Sequence, residues 1–208
     1  MMEPLDGVVL AGGRSHRLSV DKALLRFGGA PLLKIVVDRV AQLCDHVAVA
    51  VDRLERYQGL RLSAKFVADV TPGLGPLSGL QSGLQASSAK HVLVVACDLP
   101  FLNVNLLRFM ADMPRSYQAL VPWSEGRWQP LSAIYARSCL EVVDAMVSAG
   151  GGSIHQLLER LEVQRLDDKE MRPLDPNGLA FLNLNERSDL DKARRIWNRL
   201  QRQEPARE

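Results

Sequence analysis

The sequence predicts an α/β protein, a three-layer sandwich built on a mostly parallel sheet. Short apolar runs alternate with amphipathic stretches through the first half of the chain, the pattern of strand–helix–strand units. The apolar runs are continuous, as in His91–Ala96 with five apolar residues behind one histidine. Strands covered on both faces read that way. The chemically richest loops, Gly12–Ser19, Asp69–Gly75 and Cys97–Leu102, each follow such a run, where open parallel sheets place their ligands.

Taken in order, Gly7–Ala11 is the first strand. Pro31–Leu43 follows as a helix, with Pro31 near its start and Leu33, Val36, Val37 and Val40 on one face. His46–Val51 and Lys65–Ala68 are strands. Pro76–Ala86 is a helix striped by Leu77, Leu80 and Leu84, and His91–Ala96 is the next strand. Asn103 caps a helix carrying Leu106, Leu107 and Met110. Ala119–Pro122 and Leu131–Ala136 read as strands with Trp123–Gln129 as a turn, a hairpin or antiparallel excursion. Ser138–Ser148 and Ser153–Leu161 read as helices. Ser188–Gln201 is the last helix, with Leu190, Ala193, Trp197 and Leu200 inward and Arg194, Arg195, Arg199 and Arg202 outward. No internal repeat or long linker interrupts 1–203, so one domain is expected, with 204–208 as a frayed tail.

Composition narrows the function classes. Apolar residues make up 47% of 208, enough for a full core. A net charge of +2 argues neither for nucleic acid nor for a membrane surface as partner, and it does not exclude a nucleotide ligand. Cys44, Cys97 and Cys139 are widely spaced and odd in number, which suits a reducing compartment. His16, His46, His91 and His155 form no zinc pattern. No signal peptide or spanning segment is visible, so the expected location is cytoplasmic.

The chemistry begins at Val8-Val9-Leu10-Ala11-Gly12-Gly13, a strand running into a glycine pair, with Arg17 and Lys22 close behind. Gly12 and Gly13 let backbone amides approach a phosphate chain, and Arg17 and Lys22 neutralise it. The pattern is neither the P-loop nor the dinucleotide fingerprint. A tight turn with solvated cations is the plainer alternative. Asp98 leaves a central strand in Cys97-Asp98-Leu99-Pro100. It suits a magnesium ion shared with substrate phosphates, or else a cap for the turn before Pro100. Asp69 leads into Gly75-Pro76-Leu77-Ser78-Gly79, where amides at a helix start, around Gly75, suit a base or phosphate, or simply join loop to helix. Asn183 and Asn185 stand two apart, on one side of a strand facing a polar ligand. Asn185 alternatively caps the final helix.

These residues resemble molybdenum cofactor guanylyltransferases. Leu10-Ala11-Gly12-Gly13, Arg17…Asp21-Lys22-Ala23-Leu24, Gly28-Gly29-Ala30-Pro31-Leu32, Gly75-Pro76-Leu77-Ser78-Gly79, Cys97-Asp98-Leu99-Pro100-Phe101-Leu102 and Asn183-Leu184-Asn185 occur in that family's order, from residue 5 to about 195. The resemblance implies the Rossmann-like architecture of nucleotide-diphospho-sugar transferases. It also implies a reaction: GTP with Mg2+, attack by the terminal phosphate of molybdenum-bound molybdopterin on the α-phosphorus, and loss of pyrophosphate. Carried over by position, Leu10, Ala11 and Gly12 contact GTP through backbone, Lys22 meets phosphate, Asp69 contacts the nucleotide, Asp98 binds magnesium, and Asn183 and Asn185 lie on the pterin side. Molybdoenzymes or their chaperones follow as partners. The chain departs from the family at Ser19, where glycine is usual, in a loop one residue short of some relatives. It departs again at Ala50-Val51-Asp52, which replaces Asn-x-Asn, so Ala50 stands where relatives have a nucleotide-contacting asparagine. Leu-Ala-Gly-Gly in place of Leu-Ala-Ala-Gly favours guanylyl over cytidylyl transfer. A nucleotidyltransferase with another phosphorylated acceptor, such as a sugar phosphate or phospholactate, and a non-catalytic nucleotide-binding handoff protein are the other readings.

Overall fold

The computed structural model describes residues 3–12 and 21–203. Its core is a sheet of β1 (Leu5–Leu10), β4 (Val47–Val51), β5 (Lys65–Ala68), β6 (His91–Ala96), β7 (Ala119–Ser124), β8 (Arg127–Trp128), β9 (Ser132–Ala136) and β10 (Val163–Asp167), ordered β10-β7-β9-β6-β1-β4-β5 with β8 paired to β7. A small antiparallel pair, β2 (Arg26–Phe27) and β3 (Ala30–Pro31), stands apart. β6, β1, β4 and β5 are mutually parallel, as is β10 to β7, while β9 runs antiparallel to β6 and β7.

Both faces of the sheet are covered, as continuous apolar strands require. Along β1, Leu5 and Val9 enter one core while Val8 and Leu10 enter the other, the period-two alternation of a pleated strand. On the first face lie α1 (Leu32–Val40), α3 (Val104–Asp112) and the short α6 (Asp168–Met171). On the second lie α2 (Pro76–Ala86), α4 (Leu140–Ser148) and α5 (Ile154–Leu158). A third, smaller core of Phe27, Leu32, Phe101, Leu184, Leu190 and Ala193 fastens α7 (Arg187–Gln203) beside the β2–β3 pair. Asn103 caps α3 as expected, accepting from the Asn105 and Leu106 amides at 2.9 and 3.1 Å.

Several expectations need correction. Trp123–Gln129 is not a plain turn. β7 continues to Ser124 and turns back through Glu125-Gly126, whose φ values of 51° and 75° suit a tight hairpin turn, into β8. β10 was not expected, because Val163-Gln-Arg-Leu-Asp167 carries polar side chains at a sheet edge. Phe181–Asn185 is not a strand. It is held by Leu182 N–H to the Leu179 carbonyl at 3.0 Å and Leu184 N–H to the Asp98 carbonyl at 3.1 Å. The helix expected over Ser153–Leu161 stops at Leu158, and Leu200, expected inward, is 36% exposed. The 204–208 tail lies outside the described residues.

α2 packs closely on β1. A Cβ built on Gly83 would meet Val8 Cγ1 at 2.5 Å and Cγ2 at 2.8 Å. Val8 is buried on a central strand and has nowhere to move. Helix propensity alone argues that Gly83→Ala stabilises by about 1 kcal/mol. Overpacking costs typically about 1–3 kcal/mol and here outweighs it. Urea denaturation of Gly83→Ala should therefore show a lower midpoint than the parent protein. A raised midpoint contradicts the packing.

Candidate active site

The site is assembled by strand register. β1 pairs Leu10 with Ala96 of β6 and with Ala50 of β4, and β4 pairs Val51 with Ala68 of β5. The next backbone bonds continue past the ladder: Cys97 N–H to Leu10 O at 3.0 Å, Ala11 N–H to Ala50 O at 2.9 Å, and Asp69 N–H to Val51 O at 2.9 Å. Gly12, Asp52, Asp69 and Asp98 thus leave the same edge of the sheet. An open cavity of about 960 Å³ runs along that edge.

Lys22 and Asp98, 76 residues apart in sequence, meet there. Lys22 Nζ lies 2.9 Å from Asp98 Oδ2 and donates a second bond, also 2.9 Å, to Asn185 Oδ1. Both charged side chains are largely screened from solvent, 18% and 16% exposed. Asp98 Oδ1 makes no hydrogen bond among the described residues. The neighbouring Cys97 is buried, and that burial, reinforced by the Asp98 charge, pushes its thiol far up, so it is no nucleophile at neutral pH.

Lys22 is positioned by a clamp that sequence reasoning missed. Asp21 Oδ1 accepts from the Ala23 amide at 3.0 Å and caps the short turn Lys22–Leu24. Its Oδ2 receives Arg56 at 2.7 Å, and Arg56 also grips Asp52 at 2.7 Å. The Tyr57 hydroxyl donates to the Ala11 carbonyl at 2.6 Å, with Asp21 Oδ2 at 3.1 Å sharing the proton. The one signal in the sequence is the four-residue spacing of Asp52 and Arg56. Nothing local announces that Arg56 reaches back to Asp21.

At the far end Asp69 sits between two glycines. Its Oδ2 would be 3.6 Å from a Cβ on Gly12, and its Oδ1 3.8 Å from one on Gly79. Without side chains there, a flat ligand edge can reach the carboxylate. Oδ1 is buried and has no hydrogen-bond partner among the described residues. Burial first, and then the Asp52 charge, raise this carboxyl to about 6. Gly75 begins α2 with φ 63°, a left-handed conformation natural to glycine.

Of the residues expected at a site, Leu10, Ala11, Gly12, Lys22, Asp69, Gly75, Asp98, Asn183 and Asn185 all line the cavity. Gly13 and Arg17, with Ser19, lie outside the described residues. Ala50 lines the cavity too and is 1% exposed. Asn185 does not cap α7 with its side chain, which is engaged by Lys22; Asp189 instead accepts the Asn185 and Glu186 amides, both at 2.9 Å. Among the described residues no cluster of three or more His, Cys, Asp or Glu side chains is arranged to hold a metal by itself, and no helix is long and apolar enough to cross a membrane.

A family model described as MobA-like NTP transferase domain matches residues 7–166. A protein of Pelotomaculum thermopropionicum named probable molybdenum cofactor guanylyltransferase is 34% identical over 188 residues, 90% of this chain and 91% of its own. A protein of Nostoc sp. with the same name is 37% identical over 170 residues, 79% of this chain and 82% of its own. The crystal structure of molybdopterin-guanine dinucleotide biosynthesis protein A from Archaeoglobus fulgidus superposes with a TM-score of 0.83 at 25% identity, over 93% of this chain and 99% of that one. With the sheet, the glycine-lined edge and the Lys22–Asp98 pair all inside the matched span or beside it, the chain belongs to the family of MobA-like NTP transferase domains.

Proposed function

We propose that this protein transfers GMP from GTP to the terminal phosphate of molybdenum-bound molybdopterin. A phosphate oxygen of the acceptor bonds to the α-phosphorus, the bond from that phosphorus to the bridging oxygen breaks, and pyrophosphate leaves. The observation that carries this reading is the Lys22–Asp98–Asn185 cluster at the carboxyl ends of β1 and β6. It sets a cation and a hard oxygen ligand side by side where a triphosphate can reach both. The names of the relatives supply the acceptor.

The charges suit the substrate. Lys22 stands as a point charge for phosphate oxygens, and Gly12 leaves the backbone open beside it. Asp98, whose Oδ1 makes no hydrogen bond among the described residues, fits magnesium, which commonly takes one or two carboxylates and completes its shell with phosphates and water. When bound, the ion spreads the negative charge of the phosphates. Asp69 presents two acceptor oxygens between Gly12 and Gly79, the complement of the N1–H and N2–H edge of guanine. Asn183 is exposed on the cavity wall and free to meet the acceptor, whereas Asn185 steadies Lys22. A solution enzyme is expected, working in the cytoplasm without nucleic acid or membrane, and delivering its product to molybdoenzymes or their chaperones. Incubation with α-labelled GTP, magnesium and molybdenum-loaded molybdopterin tests the reading; label in a dinucleotide supports it, and label left in GTP refutes it.

Removing the metal ligand should abolish most turnover while sparing the fold. Asp98→Asn is expected to lower GMP transfer by about 10²-fold or more, the scale of losing one focused electrostatic group. Its melting temperature should stay close to that of the parent. Parent-level transfer at saturating magnesium contradicts the role.

Base recognition should depend on pH with a defined sign. The ionised form of Asp69 accepts both guanine N–H groups, and its carboxyl titrates at about 6. GTP affinity should therefore be full near pH 7.5 and fall as pH drops through about 6. Asp69→Asn should lose about tenfold or more, the scale of hydrogen bonds to a charged group, and flatten that limb. Calorimetric titrations from pH 5 to 8 check this; a parent profile flat across that range removes Asp69 from the base site.

The two asparagines should separate. Asn185→Ala, by releasing Lys22, should weaken GTP binding severalfold. Asn183→Ala should raise the acceptor KM and leave the GTP Kd within about twofold. The same pair of constants measured on both variants decides it, and an identical response from the two refutes the division.

A further inference from the structure

Three carboxylates, Asp21, Asp52 and Asp69, stand near the end of β1, and one cation serves two of them. Asp52 and Asp69 flank Gly12: a Cβ there would lie 3.6 Å from Asp69 Oδ2 and 3.9 Å from Asp52 Cβ. Arg56 Nη1 donates to both oxygens of Asp52, at 2.7 and 2.9 Å. Its other terminal nitrogen, Nη2, lies 2.7 Å from Asp21 Oδ2. Asp21 in turn precedes Lys22 and caps the short turn that carries it. Arg56 itself is outside the cavity lining.

Two consequences follow from that bridge. The first is mechanical. A planar guanidinium holds two carboxylates at a fixed separation, and an ammonium on a flexible stem does so less well. Arg56 therefore ties the end of β4 to the turn bearing Lys22. Asp21 has two further partners, the Ala23 amide at 3.0 Å and the Tyr57 hydroxyl at 3.1 Å. Both remain when Arg56 is replaced, so the turn survives with one support fewer. The second consequence is electrostatic. Among the described residues Asp52 is the charged group that bears on the Asp69 carboxyl, since Gly12 from β1 and Gly79 from α2 bring no charge. Arg56 offsets the Asp52 charge. Without it Asp52 repels an ionised Asp69 more strongly, and Asp69 keeps its proton to a higher pH.

We propose that Arg56 is a positioning residue coupling the two ends of the nucleotide site, holding Lys22 in place through Asp21 and keeping Asp69 an acceptor by offsetting Asp52. Substitutions separate the two effects. Arg56→Gln removes both the charge and the fork. Arg56→Lys keeps the charge and loses the fork. Asp52→Asn removes the repelling charge and leaves Arg56 on Asp21. That Lys22 meets phosphate and Asp69 meets a base rests on the guanylyl-transfer reading; the effect on the Asp69 carboxyl does not.

The test has two readouts on the intact protein. Carbon-13 NMR follows the Asp69 carboxyl between pH 4 and 9 without nucleotide, its signal assigned by its loss in Asp69→Asn. Its midpoint should rise by about half a pH unit or more in Arg56→Gln, stay close to the parent in Arg56→Lys, and fall in Asp52→Asn. Calorimetric titration with magnesium tripolyphosphate, which has no base, reports on Lys22. Its affinity should drop severalfold in both Arg56 variants and stay within about twofold of the parent in Asp52→Asn. A merely structural Arg56 would leave the Asp69 midpoint where it is. That result in a folded Arg56→Gln, or parent-like tripolyphosphate affinity in both Arg56 variants, overturns the coupling. The expected midpoints and losses support it even if the parent binds GTP no better than tripolyphosphate, an outcome that would sink the guanylyl-transfer reading alone.

Discussion

The parallel register of β6, β1, β4 and β5 is the constraint on which the rest depends. Leu10 is locked between Ala96 and Ala50, and Val51 against Ala68. Gly12, Asp52, Asp69 and Asp98 stand one or two residues past those pairs. A slip of one residue would turn Val8 and Leu10 from one core to the other. It would also carry Asp98 and Asp69 out of register with Gly12. Burial on both faces forbids such a slip, so the hydrophobic pattern that folds the sheet also sets the geometry of the site. Gly83 and Gly79 extend the same logic to α2, which can lie close on β1 only because those positions lack side chains.

The charge arrangement follows from that frame. Lys22 reaches Asp98 because Asp21 is gripped by Arg56, and Arg56 is anchored in turn by Asp52 at the end of β4. The lysine and the carboxylate satisfy each other, with Asn185 as a third partner. On the proposed reading, a triphosphate bearing its own cation would offer each of them a replacement partner. Asp52 has a second effect: its charge, added to burial, raises the Asp69 carboxyl to about 6.

Much of this was legible in the sequence, for physical reasons. Continuous apolar strands such as His91–Ala96 and striped helices such as Pro76–Ala86 announce themselves by burial pattern, and both stand where expected. The residues at strand ends were legible because open parallel sheets put ligands there. β10 was not, because an edge strand needs only one buried face and Gln164 and Arg165 conceal it. The Asn183–Asn185 segment was read as a strand from its alternation, yet its backbone bonds go to Asp98 and to its own turn. Arg56 was missed because its importance lies in a long-range contact to Asp21 that no local spacing encodes. Trp123 and Trp128 read as turn residues until the hairpin pairs them.

On the proposed reading, one sheet edge holds a guanine nucleotide between Asp69 and the Lys22–Asp98 pair with a magnesium ion. Equilibrium titration of the purified protein with GTP, ATP, CTP and UTP, each with magnesium and with a chelator, tests it most directly. GTP should bind most tightly, and chelation should weaken it by an order of magnitude or more. Equal affinity for all four nucleotides, or GTP binding indifferent to magnesium, would contradict it.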